Sequence, residues 1–270
     1  MDANRAGGDL ARYLAAAREA AAAAARLIET ARPAGNAALE VEYKADRSPV
    51  TAADRAAERC IRERLAVFAG HRIYGEEYGA GGAPEALADC EFVWLVDPID
   101  GTRSFIRGMP FYSVQIALLS RGELILGVSC APAFGETAWA VRGGGAWLNG
   151  ARLKVSACAT LDDAWLSTGN LKWPADSARW PRLGRLISSA TYARGYGDFY
   201  SYHRLAAGAL DLVLEQGVNI LDIAALAVIV SEAGGVFTDL TGRPPAIGCD
   251  SVLAASTPAL HRQALEFMRA

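Results

Sequence analysis

Two aspartates stand close together in WLVDPIDGTRSF (residues 94–105): Asp97 and Asp100, split by Pro98 and Ile99 and followed by Gly101 and Thr102. An apolar run, residues 92–96, precedes them and reads as a strand buried on both faces. Pro98 biases Asp97 toward extended backbone and cannot donate to a sheet ladder. Asp97 is therefore expected to end the strand. Gly101 permits a sharp turn, and Thr102 opens a helical turn over residues 103–106. Free N–H groups at such a strand-to-helix junction attract phosphate. A single aspartate here would read as an ordinary cap or turn residue. Two around one proline, behind a buried strand, would repel each other and take up protons unless something positive lay between them. A divalent cation removes that cost, and all-oxygen ligands select a hard ion, Mg2+ or Mn2+, over zinc.

Other acids are placed to join them. Glu76 and Glu77 follow the apolar pair Ile73-Tyr74 in a Gly-flanked turn, where surface glutamates are also common. Asp222 precedes an otherwise apolar helix, where it reads either as an N-cap or as a further ligand. Asp54 lies three residues after Thr51, a capping-box spacing. Lys44 is placed to steady the acids or phosphate, or to be solvated surface. The three histidines, His71, His203 and His261, form no motif, and no nucleophilic cysteine pattern is visible. Chemistry is thus expected to rest on carboxylates, hydroxyls or metal-bound water.

The elements that must position these groups follow from periodicity. Residues 10–32 predict a long Ala-rich helix ended by Pro33 and Gly35. Ala53, Ala57, Cys60, Ile61 and Leu65 predict a second helix with one buried stripe, N-capped by Thr51. Residues 113–119, 124–128, 137–141 and 146–148, with 92–96, predict an antiparallel meander. Further on, a helix is expected over 200–208, a strand over 210–215, a helix over 222–233 closed by Gly234-Gly235, and a strand over 236–238. Residues 170–190 show no clear period. A lobe boundary is expected near residue 155, giving an N-terminal lobe over 1–155 and a C-terminal lobe over 156–270.

Composition bounds the rest. The chain has 270 residues, 52% hydrophobic, with a net charge of -3, enough for a sizeable core and no pointer to nucleic acid or a membrane surface. Five scattered cysteines without a C-x-x-C pair argue against zinc and fit a reducing cytoplasm. Asp2, Arg5, Asp9 and Arg12 interrupt the Ala-rich start, so an export leader is not expected.

Taken together, Glu76-Glu77, the Asp-Pro-Ile-Asp-Gly-Thr run at 97–102, Asp222 ahead of AALAVIVSEAGG, and KADRSPVTAADRAAE (residues 44–58) resemble the inositol monophosphatase superfamily of metal-dependent phosphatases. The resemblance covers residues 10–265. It implies an α/β (α+β) fold, a layered αβαβα sandwich. It also implies a homodimer in the cytoplasm and a site holding two or three Mg2+ ions, which Mn2+ can replace. By the resemblance, Glu76, Asp97, the Ile99 carbonyl, Asp100 and Asp222 hold metal. Gly101 and Thr102 receive phosphate, and Thr102 pairs with Asp54 to position and deprotonate the attacking water. A small phosphorylated metabolite is the implied partner, with no role for nucleic acid or membrane.

Specificity points to GYGDFYSYHRLAAGALDLVLEQG (residues 195–217), with Asp198, Tyr202 and Glu215 as substrate-binding candidates. The Gly-Asp-x-Tyr-x-Tyr pattern is more similar to the histidinol-phosphatase branch than to inositol monophosphatases proper. Two acids suit a cationic amine and imidazole through charge-assisted hydrogen bonds. The alternative is that Asp198 caps a helix and the tyrosines are core. Leu221, Phe199 and Asn219 depart from the usual residues of these branches, which touches specificity more than catalysis. The leading expectation is a Mg2+-dependent phosphomonoesterase acting on histidinol phosphate. Inositol monophosphate comes second, and a nucleotide or sugar bisphosphate third. A metal- or phosphate-binding module without turnover is the non-enzymatic alternative.

Overall fold

A computed structural model of the chain describes residues 3–32, 40–44, 47–80, 87 and 90–269. Helix α1 (Ala3–Ala31) is followed by a hairpin of β1 (Val41–Tyr43) and β2 (Pro49–Thr51), then by α2 (Ala52–Leu65). A seven-stranded sheet comes next: β3 (Arg72–Gly75), β4 (Phe92–Asp100), β5 (Ser113–Ser120), β6 (Glu123–Ala131), β7 (Glu136–Val141), β8 (Gly145–Leu148) and β9 (Ala151–Arg152). The short α3 (Thr102–Ile106) sits between β4 and β5. β3 runs parallel to β4, and every later pair is antiparallel, the expected meander.

A second sheet, in the order β11-β10-β12-β14-β13, combines β10 (Trp165–Thr168), β11 (Tyr192–Arg194), β12 (Leu212–Gln216), β13 (Val236–Thr238) and β14 (Ser251–Ala255). Its helices are α4 (Lys172–Ala175), α5 (Trp180–Ser189), α6 (Asp198–Ala206), α7 (Ile220–Glu232) and α8 (Pro258–Arg269).

The layers follow from which faces are apolar. On β4, Trp94 and Val96 pack toward α1 and α2, while Val93 and Leu95 pack toward α6 and α7. The strand is therefore covered on both sides, as its uninterrupted apolar run requires. In α1, Ala17, Ala20, Ala21, Ala24 and Ile28 form one fully buried stripe. Small side chains bring that helix close to α2 and the sheet. Helices α6 and α7 lie between the two sheets, and α5 and α8 cover the outer face of the smaller one. The result is the αβαβα sandwich that the resemblance implied. Helix α7 presses on the large sheet at Gly127, where an added Cβ would lie 2.4 Å from the Ala225 carbonyl oxygen.

Several expectations are corrected. Helix α1 begins at Ala3 rather than residue 10, running through Gly7 and Gly8 although glycine disfavours a helix interior. Pro33 and Gly35 lie outside the described residues. Strand β4 does not end at Asp97 but runs to Asp100, with a register shift between Asp97 and Asp100 in its pairing with β5. That shift absorbs the missing N–H of Pro98. Residues 170–190 carry α4 and α5. Strands β9 to β11 and β14, helix α8 and the β1–β2 hairpin were not legible from periodicity. Among the described residues, no helix is long and apolar enough to cross a membrane.

The close approach at Gly127 is testable. Gly127→Val should destabilise the fold by about 1–3 kcal/mol, lowering Tm by roughly 2–4 °C per kcal/mol. An unchanged melting curve would contradict the contact with Ala225.

Candidate active site

Every acid singled out in the sequence reaches one region. Asp97, Asp100 and Asp222 each offer a carboxylate oxygen, and these oxygens lie within 4.8 Å of one another. They line a cleft of about 540 Å³ together with Glu76, Ile99, Gly101, Thr102 and Asp198. Asp97 and Asp100 come from the end of β4, and Asp222 from the first turn of α7. Asp97 and Asp100 are 1% and 8% exposed.

Local sequence aims each carboxylate. The Ile99 N–H donates to Asp97 Oδ1 at 2.9 Å, an Asx turn across the proline. Gly101 takes a left-handed φ of +84°, and a Cβ there would lie 2.4 Å from the Phe111 carbonyl, so only glycine allows this turn. Thr102 Oγ1 bonds the Ile99 carbonyl at 2.9 Å and Asp54 Oδ1 at 3.3 Å, which joins the two halves of the expected Asp54–Thr102 pair. Asp54 is at N3 of α2 and receives both the N–H and the hydroxyl of its N-cap Thr51. Asp222 repeats that geometry. It is not the N-cap but N3, and its carboxylate receives the N–H and side-chain amide of Asn219. Two capping boxes thus pin two of the acids.

Glu76 lines the same cleft, and its charge is the largest of those acting on buried Asp97. Its Oε1 accepts from Lys44 Nζ at 2.8 Å, and Glu77 accepts from the same ammonium at 2.6 Å. Lys44 is therefore no solvated surface residue. Although burial works against its charge, the two carboxylates push its pKa up.

The substrate candidates sit beside this cluster. Asp198 lines the cleft, and its backbone is left-handed at φ +48°, an uncommon state for a residue with a Cβ. It opens α6 without capping it, since the N-cap is Gly197 and no side-chain cap bond forms there. The Asp198 N–H points to Glu215 Oε1 at 3.4 Å. Glu215, Tyr202 and Asp198 line a small pocket of about 30 Å³ shared with Asp100 and Asp222. Tyr202 is 1% exposed and donates to Glu215 Oε2 at 2.7 Å, so it holds Glu215 from behind rather than presenting itself to the cleft.

Burial first, and then the charges of Glu76, Asp222 and Asp100, raise the Asp97 pKa well above the usual carboxylate range. Asp100 is raised likewise by burial and by Asp198, Asp222 and Glu215. Burial pushes Asp222 up to about 7, Asp198 up to about 6 and Glu215 up to about 8. A divalent cation fits this donor set: hard oxygens only, crowded, buried and short of positive charge.

Sequence reasoning missed several residues. Buried Glu58 accepts from the Glu77 N–H at 2.6 Å and from Arg62 Nε at 2.7 Å, anchoring the Glu76-Glu77 turn. An acid one helical turn beyond Asp54 in an Ala-rich helix was its signal. Asn219 was readable as a cap from its spacing to Asp222, the same spacing as Thr51 to Asp54. Arg103, Asn170 and Trp173 also line the cleft, with no signal in the sequence to place them there.

The raised pKa values carry a sign. In an unfolded chain these acids titrate near about 4. With the folded values higher, their stabilisation is complete below about pH 4 and is lost as pH climbs through about 7 and 8. Metal-free protein should therefore melt lower at about pH 8.5 than at about pH 5.5, and added Mg2+ should raise Tm more at the higher pH. An equal Mg2+ shift at both pH values would contradict the crowding of ionised acids.

Comparison with known proteins identifies the family. Residues 9–269 match the inositol monophosphatase family. The chain is 39% identical over 239 residues to a histidinol-phosphatase of Mycobacterium tuberculosis, covering 86% of this chain and 89% of that protein. It is 37% identical over 240 residues to a histidinol-phosphatase of Streptomyces coelicolor, covering 85% and 87%. Among solved structures, an inositol monophosphatase from Zymomonas mobilis superposes with a TM-score of 0.82 at 32% identity, covering 96% of this chain and 98% of that one. The chain belongs to the inositol monophosphatase family of phosphoric monoester hydrolases.

Proposed function

We propose that this enzyme is a Mg2+-dependent phosphatase whose substrate is histidinol phosphate. The observation that carries the substrate is the second acidic pair, Asp198 and Glu215, set directly beside Asp100 and Asp222. A substrate bearing an amine and an imidazole offers that pair positive charge, which a neutral polyol does not. The two relatives bearing the histidinol-phosphatase name support the same reading.

In this reading Glu76, Asp97, the Ile99 carbonyl, Asp100 and Asp222 hold the metal, in two or three positions, and Mn2+ is accepted as well. Bound Mg2+ supplies positive charge that lowers the pKa of water and stabilises the entering and leaving oxygens. The chain's own residues do the rest. Gly101 and Thr102 receive the phosphate at the cleft floor. Thr102, tied to Asp54, orients the attacking water, and Asp54 takes its proton. Burial raises the Asp54 pKa, which suits a proton acceptor. Asp198 and Glu215 hold the organic part of the substrate, with Tyr202 fixing Glu215. The N-terminal lobe, 1–155, then carries most of the metal ligands, and the C-terminal lobe, 156–270, carries Asp222 and the specificity residues. The reading extends to a homodimer in the cytoplasm, consistent with cysteines that form no disulfide among the described residues.

Inositol 1-phosphate is the second reading, favoured by the likeness to the Zymomonas mobilis enzyme. Two measurements test the proposal. Asp97→Asn or Asp222→Asn should lower kcat by at least about a thousandfold while leaving the metal-free fold intact, since each removes a repelling charge. Near-normal turnover in either variant would overturn the metal assignment. The ratio of kcat/KM for histidinol phosphate and inositol 1-phosphate decides the substrate. A preference for inositol by about tenfold, roughly 1.4 kcal/mol, would reverse the ranking.

A further inference from the structure

A row of buried polar side chains crosses the large sheet behind Asp100, and no step above uses it. Ser113 stands opposite Asp100 on the neighbouring strand, and Gln115 stands opposite Ser129 on the next. Ser113, Gln115, Ser129 and His203 are all fully buried. Further along the same face of β5 the pattern turns apolar with Ala117 and Leu119, which pack into the core beneath α7. The polar stretch is thus confined to the end of the sheet nearest the acids. Burying four polar side chains in succession is costly unless each finds its partner.

Each finds one, in one direction, and only the Gln115 Oε1 is left without a partner among the described residues. Ser113 Oγ donates to Asp100 Oδ2, at 3.3 Å. Ser113 in turn accepts from Gln115 Nε2 at 2.8 Å. The same amide nitrogen donates to Ser129 Oγ at 3.1 Å. The hydroxyl proton of Ser129 is then free for His203 Nε2, 2.9 Å away. The ionised Glu136 carboxylate only accepts, and its Oε2 lies 3.0 Å from His203 Nδ1, so the neutral ring carries its proton there and Nε2 accepts from Ser129. Glu136 also receives Arg204, the next residue on α6. Burial lowers the His203 pKa, in keeping with a neutral ring. The row therefore runs from the acid cluster to α6, the helix that begins with Asp198 and holds Glu215 through Tyr202.

We propose that His203, as the neutral Nδ1–H tautomer, is a positioning residue: through Ser129, Gln115 and Ser113 it orients the Asp100 carboxylate and locks α6 in register with the metal site. The inference rests on the proposed role of Asp100 as a metal ligand. Outer partners of metal-binding carboxylates act this way, and losing one typically costs about 10–100-fold in metal affinity.

Two measurements on the full chain test it. The first is Mg2+ binding to Ser129→Ala by isothermal titration, with the melting curve of the metal-free variant as control. Mg2+ affinity should fall at least about tenfold while Tm stays close to wild type. Unchanged affinity in a folded variant would overturn the proposal. The second is the long-range 15N–1H spectrum of the wild-type imidazoles, with the His203 signal assigned by its loss in His203→Gln. The expected pattern is a neutral ring protonated on Nδ1. A proton on Nε2 would reverse the row and overturn the proposal even if Ser129→Ala failed to fold. If wild-type protein bound no Mg2+, the proposed function would fall, and the tautomer would still decide whether the row runs as described.

Discussion

Repulsion among buried carboxylates is the constraint on which this structure turns. Carboxylate oxygens of Asp97, Asp100 and Asp222 converge to within 4.8 Å at one cleft, with Glu76, Asp198 and Glu215 around them. Like charges so placed cannot all remain ionised without a counter-charge. Lys44 gives its charge to Glu76 and Glu77 rather than to the three aspartates. The remaining charge deficit is what suits the site to a hard divalent ion. A site of this kind is held together by the rest of the fold against its own electrostatics, which is a usual relation between stability and catalytic preorganisation.

The layered architecture is what makes such a site tolerable. β4 is covered by α1 and α2 on one side and by α6 and α7 on the other, so its C-terminal end is held firmly where the acids need to be. Two helices enter the site by the same device, an N-cap with an aspartate at N3, at Thr51–Asp54 and Asn219–Asp222. Each carboxylate satisfies backbone N–H groups while its remaining oxygen capacity faces the site. Capping and chemistry are therefore not competing readings of these residues. The helix start provides the rigidity that a reacting group requires.

Much of this was legible in the chain. The meander, the second helix, the Gly101 turn and the apolar helix behind Asp222 follow from local sterics and periodicity, and the acids themselves stood out against apolar surroundings. Other parts were not legible. Strand β4 continues through a proline because a register shift accommodates it, a decision taken by the neighbouring strand. Residues 170–190 form α4 and α5 only against the second sheet and α8. Tyr202 looked like a substrate contact by its spacing, yet packing placed it behind Glu215. The Ser113–His203 row carried no sequence signal, since nothing local tells a buried hydrogen bond from an exposed one.

The sequence by itself determined which chemistry was available. Oxygen ligands, a glycine turn and capped helix starts are properties of a few adjacent residues, set by backbone sterics and side-chain donors. Only the tertiary structure decided that Asp100, Asp198 and Asp222, distant along the chain, share one cleft, that buried Asp54 reaches Thr102 beside them, and that Lys44 faces the glutamates instead of the aspartates. The reason is physical. Side-chain types are local facts, whereas the distance between two charges depends on how whole layers pack, and the energy of these charges depends on that distance and on the water the layers exclude.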